Sequence, residues 1–220
     1  MNNIFQVLKL DYFTIKTAYS KIIVVYFISI LLGLLTQPFM PIILIMFYCV
    51  SFSGLTFSII EKNNCEKLYG ILPIQRKEII AGRYLYAFIS GIINLVISII
   101  LAYIIAAFLI QQIDAFTLSL SITFSFCYYC FAVGISYPVY YKIGFSKSYI
   151  FITLPLYLLI LLIVFLSEKI GSGFIETIEQ ILQYFSNHFI LFLLFGFILG
   201  VFMLIISAVI SYGIFKNSEI

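Results

Sequence analysis

Charge is what this sequence has least of: twelve Lys and Arg, nine Asp and Glu and one His among 220 residues, of which 64% are hydrophobic. With a mean hydropathy of +1.18, a water-soluble domain of this length could not hide its apolar surface, so lipid is the solvent for most of the chain. The few charges avoid the long apolar runs. Glu61, Arg83 and Asp114 sit at their edges, and no carboxylate, Lys or His lies deep inside one. That absence counts against secondary active transport and proton relays, which need an intramembrane ionisable group. It also removes the Asp pair or HExxH zinc site of intramembrane proteolysis, and His188 falls at a membrane edge as an interfacial residue. Cysteine is scarce too. Cys127 and Cys130 have CxxC spacing but no second ligand pair, so they read as small packing residues rather than a metal or redox site. No small-residue cleavage site follows the first apolar block, so no signal peptide is expected. The basic residues are confined to short segments beside apolar blocks, which speaks for orientation in a membrane and against a nucleic-acid partner.

The distribution of those cations sets the topology. Lys9, Lys16 and Lys21 precede the first apolar block; Lys62, Lys67, Arg76, Lys77 and Arg83 lie between the second and third; Lys142 and Lys147 separate the fourth and fifth; Lys216 follows the sixth. Eleven of the twelve basic residues thus share one parity, and only Lys169 has the other. The positive-inside rule predicts an all-α integral membrane protein with six spans and both termini cytoplasmic. The expected spans are 22–35, 40–60, 84–110, 116–141, 149–166 and 189–215, in one membrane domain covering 1–220. Turns are short: Thr36-Gln37-Pro38 and Gln111 to Asp114 outside, and Lys142–Ser148 as an inner loop. Pro138 and Pro155 should kink spans four and five.

Three amphipathic or polar patterns stand out. Within 1–21, Phe5, Leu8, Tyr12, Ile15 and Tyr19 recur at helical spacing, which predicts a helix lying in the cytoplasmic interface. Small residues form stripes in span three (Gly91, Asn94, Ser98, Ala102, Ala106), span four (Ser119, Thr123, Cys127, Cys130, Gly134, Pro138) and span six (Gly196, Gly200, Ser207, Ser211), as helix–helix packing requires. In span two, Ser51, Ser53, Thr56 and Ser58 spread too widely around the helix for one seam and form the candidate substrate pathway. The outer segment 168–187 carries Phe174, Ile178, Ile181 and Phe185 on one helical face.

The densest charge lies in 61–83, which holds eight of the 21 charged residues. Gly70 and Pro73 interrupt the helical pattern there, Pro73 suits the first turn of a new helix, and that helix is expected to run through Gln75 to Glu78 into span three. The result is a cytoplasmic elbow with Leu68, Tyr69, Ile71 and Leu72 at its tip. Apolar residues there either pack on neighbouring span ends or dock a cytoplasmic partner.

Phe57 to Lys62, then Leu72-Pro73-Ile74-Gln75-Arg76-Lys77-Glu78-Ile79-Ile80, then Arg83-Tyr84, resembles the signature of small bacterial ABC-2 type (type V-like) exporter permeases. Gln75 stands where Ser is common and Arg83 where Lys is common. The resemblance implies that 61–83 is a coupling segment seated on a cytoplasmic ABC ATPase through Glu61, Leu68, Tyr69, Leu72, Pro73, Arg76 and Arg83. It also implies an outer helix between spans five and six, which the face Phe174, Ile178, Ile181 and Phe185 fits, and a homodimer or a heterodimer with a related permease. No GxxxxGK[ST] loop is present, so ATP and Mg would belong to the partner ATPase, and this chain itself is no enzyme and carries no cofactor. The implied location is the bacterial cytoplasmic membrane. The aromatic-rich spans and the acidic outer segment (Glu168, Glu176, Glu179) suit amphipathic peptides such as phenol-soluble modulins or bacteriocins. The rival reading is a non-transporting six-span module, or a substrate-capture subunit of a vitamin importer.

Overall fold

The computed structural model describes residues 2–16, 19–63, 75–150 and 188–216. Among these the helices are α1 (Asn2–Lys16), α2 (Tyr19–Leu35), α3 (Met40–Ser53), α4 (Leu55–Lys62), α5 (Arg76–Leu109), α6 (Ala115–Ile143) and α7 (Phe189–Lys216). Four described stretches are long and apolar enough to cross a membrane: Met40–Lys62, which joins α3 to α4, and α5, α6 and α7. Ile22–Leu35, within α2, is a shorter apolar helix. Most of the expected fifth span lies outside the described residues.

Local chemistry sets the helix ends. Pro41 sits in the first turn of α3, where its missing N–H costs no hydrogen bond. Asp114 caps α6, its carboxylate accepting from the Thr117 amide at 3.2 Å. At α5 the expected continuous helix through Gln75 is not found. Gln75 is extended (φ −72°, ψ 143°) and forms a capping box with Glu78, which satisfies two amide groups and starts the helix at Arg76. The 34 residues of α5 then run for about 51 Å at ~1.5 Å per residue, well beyond a hydrocarbon core of about 30 Å. The inner loop expected at Lys142–Ser148 is also corrected. Helix α6 continues to Ile143, Gly144 turns the chain at φ 88°, and residues 145–150 are helical again.

The stripes of small residues meet as packing seams. Along the α6–α7 contact, Gly196 lies against Thr123 and Cys127, while Gly200 lies against Phe126 and Cys130. A Cβ on Gly200 would come within 2.9 Å of the Phe126 ring, so only hydrogen allows that approach. Cys127 Sγ donates to the Gly196 carbonyl (3.2 Å), and Ser207 Oγ donates to that of Gly134 (2.6 Å). Tyr84 of α5 joins the seam, its hydroxyl bonding Ser207 at 2.6 Å and Ser211 at 2.8 Å. The core continues through Met46, Val50, Phe57, Tyr129 and Tyr137. The opposite side of α7 stays exposed at Ile198, Phe202, Ile205 and Val209, a lipid-facing surface.

Candidate functional site

The charged residues predicted to carry coupling gather where α4, α5, α6 and α7 meet at one side of the bundle, and two of those described find helix termini. Glu61, in the last turn of α4, accepts a hydrogen bond from the Ser146 amide at 2.9 Å. That amide is one of the unpaired donors at the start of the helical turn 145–150, so Glu61 caps it from another helix. Gly144 sets the two in place through its backbone, turning the chain at φ 88°, a conformation that favours glycine. Arg76 does the converse at a helix C-terminus. It donates to the carbonyls of Phe215 (3.1 Å) and Lys216 (2.9 Å) and covers the Phe215 ring. It thereby satisfies the last acceptors of α7 and opposes the negative end of its dipole.

Arg83 lies about two turns into α5 and is only 5% exposed. Its guanidinium lies 4.5 Å from the centre of the Phe57 ring and 5.5 Å from that of Tyr141, and Nη1 reaches the Tyr141 hydroxyl at 3.4 Å. Aromatic faces carry the negative part of the ring quadrupole, and a desolvated cation gains more from them than an exposed one. Phe57 is itself edge-packed on Tyr137 and Tyr141, with centroids 4.9 and 5.0 Å away. The cage is therefore rigid and joins α4, α5 and α6.

One member of this site was not foreseen. Asp11 of α1 is fully buried, and among the described residues neither carboxylate oxygen has a hydrogen-bond partner. Burial pushes its pKa up to about 6, while the charge of Arg83 pulls the other way. Helix α1 does not present a simple lipid face: Val7, Asp11 and Ile15 are buried against protein, whereas Phe5 and Tyr12 are exposed. Gly82 makes the approach possible, since a Cβ there would fall 2.8 Å from Val7. The signal was present as a carboxylate at helical spacing within an apolar stripe, Val7, Asp11, Ile15. It is a pattern that demands a buried partner.

A family model described as ABC-2 family transporter protein matches residues 6–216. The chain belongs to the ABC-2 family of transporter proteins. No curated protein and no solved structure matches it. ABC-2 permeases pair with a separate ABC ATPase, and the membrane component is typically the non-catalytic partner. Within this ABC-2 chain, the remaining predicted coupling residues Leu68, Tyr69, Leu72 and Pro73 lie outside the described residues, as do Phe174, Ile178, Ile181 and Phe185 of the outer face. Of the pathway set, Ser53 and Thr56 are buried and Ser51 and Ser58 half-buried. Ser53 Oγ donates to the Val50 carbonyl (2.7 Å) and Thr56 Oγ1 to that of Ser53 (3.3 Å), so both hydroxyls are spent on their own backbone.

Proposed function

We propose that this chain is the six-span permease subunit of an ATP-driven exporter, moving amphipathic or hydrophobic peptides out of the cell or the membrane. Its termini face the cytoplasm, and a copy of itself or a related permease completes the membrane part. Segment 61–83 is the transmission element in this reading: Leu68, Tyr69, Leu72 and Pro73 seat it on the ATPase, and Glu61, Arg76 and Arg83 hold it to the spans. Ser51, Ser53, Thr56 and Ser58 border the pathway, and Phe174, Ile178, Ile181 and Phe185 guard its outer end.

The observation that carries the reading is where the two ends of 61–83 are anchored. Glu61 ties α4 to residues 145–150, and Arg76 ties α5 to the end of α7. Arg83 is held between Phe57 of α4 and Tyr141 of α6. A force on the segment between them would therefore reach four helices at once, as a transmission element requires.

Co-purification with the ATPase tests it. Losing a buried Leu contact costs about 2–5 kcal/mol, and placing a carboxylate there costs more. Leu68→Asp is expected to abolish ATPase recovery, while Arg76→Ala leaves the complex assembled but removes stimulation of ATP hydrolysis by substrate. Recovery of the ATPase at wild-type yield with Leu68→Asp would assign the apolar tip to packing within this chain instead.

A further inference from the structure

A cavity of about 450 Å³ opens between α1, α2, α3 and α5, on the side of the bundle where α1 lies. Leu8 and Ile15 of α1, Tyr26 of α2, Cys49 of α3, and Ile93 and Asn94 of α5 contribute to its wall. Among the described residues, no charged side chain lines it. Four of its polar side chains donate to partners within the protein. Tyr26 donates to Asn94 Oδ1, Asn94 Nδ2 to the Ser90 carbonyl at 2.7 Å, Ser90 Oγ to the Ala87 carbonyl at 3.0 Å, and Ser53 Oγ to the Val50 carbonyl.

Those facts narrow the range of occupants. Water needs two to four polar partners to be held in a cavity, and these donors are committed elsewhere. A peptide backbone would bring amide groups that need partners inside an apolar site, and it would find few. An empty void of this size forfeits dispersion contacts along its whole wall. An alkyl chain has none of these difficulties. The mouth faces the right supply, because Ile23, Ile89 and Ile93 on its rim are exposed (67%, 38% and 53%) and continue the lipid-facing surface of the bundle. Height agrees as well. Along α5 the lining runs from Tyr86 to Ile97, roughly 16 Å at ~1.5 Å per residue, against about 15 Å for one leaflet of hydrocarbon.

We propose that this cavity holds an acyl chain of a phospholipid drawn from the leaflet on the α1 side. Helix α1 closes the headgroup end of the site, with Tyr12 lining it and Lys9 exposed beside it. The lipid thereby fills the gap between the docked α1 and the spans, so that α1 is packed partly on protein and partly on bound lipid. Ser53 lines this cavity and also belongs to the proposed pathway, so occupation by cargo peptide is one outcome of the test.

The test reconstitutes the full chain in nanodiscs of bacterial phospholipid containing a trace of a phospholipid with a diazirine in its acyl chain. After irradiation, labelled peptides are mapped. Peptides covering 22–26 and 86–97 are expected to carry several-fold more label than the exposed α7 surface at Ile198 and Phe202. Ser90→Phe, or Ile93→Trp if the first does not fold, should remove that excess while α7 labelling stays constant. Equal labelling of both regions in the wild-type protein overturns the proposal even if neither variant folds. So does an unchanged excess in a folded variant. Competition by a hydrophobic peptide but not by unlabelled phospholipid would assign the cavity to peptide and overturn it too.

Discussion

Replacing Asp11 with Asn isolates a single physical quantity, the cost of keeping a charge where no donor reaches it. The carboxyl is raised from an ordinary 3.8 to about 6 by burial, and Arg83 opposes that rise. The folded state therefore prefers the protonated acid. Stability associated with Asp11 is fully present below pH 3.8, is lost as the pH climbs to about 6, and stays low above it. At ~1.36 kcal/mol for each pH unit separating those two values, the ionised form costs about 3 kcal/mol at pH 7. This cost already includes the attraction of Arg83, so Asn, neutral at every pH and nearly isosteric, should relieve it. Asp11→Asn is expected to raise the melting temperature of the detergent-solubilised protein by several degrees at about pH 7. Near pH 5 the gain should fall to roughly half, because the wild-type acid is then mostly protonated. Tyr137 and Tyr141 also face Asp11. Thermal melts of both proteins from about pH 4.5 to about 7.5 measure the effect. A lower melting temperature for Asp11→Asn at neutral pH would refute the reasoning. It would mean that the attraction of Arg83 outweighs desolvation, and that removing the carboxylate strands a buried cation at a cost of about 3–5 kcal/mol.

Gly200→Leu should lower stability by about 1–3 kcal/mol by forcing α7 away from Phe126 and Cys130, read as a fall in melting temperature that Gly213→Leu, with no neighbour within 4 Å, does not share. Arg76→Ala should fray the end of α7, so amide hydrogen exchange at 212–216 should quicken while exchange at 196–204 is unchanged. For topology, a cysteine at Gln112 should react with an impermeant thiol reagent in intact cells, and one at Lys77 or Lys147 should not.

Features that depend on near neighbours or on repetition were legible in the sequence. The stripes Gly196, Gly200, Ser207, Ser211 and Thr123, Cys127, Cys130, Gly134 repeat at helical spacing, and the structure joins them face to face. Asp114 could be read as the start of a span because its cap partner, Thr117, is three residues away. For Asp11 the stripe Val7, Asp11, Ile15 signalled burial, but Arg83, the cation that faces it, lies in another helix and could not be named from spacing. The same holds for Glu61 and Arg76. Their place in the coupling segment was legible, but their partners, the amide of Ser146 and the carbonyls of Phe215 and Lys216, lie 85 to 140 residues away. The polar run Lys142–Ser148 looked like a loop by composition. It is nearly all helix because one glycine makes the turn and a carboxylate from α4 caps the helical turn beyond it.

The joint between α3 and α4 has a mechanical meaning. At Gly54 the helical ladder skips: the Phe57 amide bonds the Gly54 carbonyl at 3.1 Å, which releases the carbonyl of Ser53. Tyr137 of α6 donates to that acceptor at 3.1 Å, beside Thr56 Oγ1 of α4 at 3.3 Å. The span is thus two rods on a pin, and the pin is held by a neighbour as well as by the rods themselves. A push delivered along α4 would be shared sideways with α6 at this point before it could travel up α3.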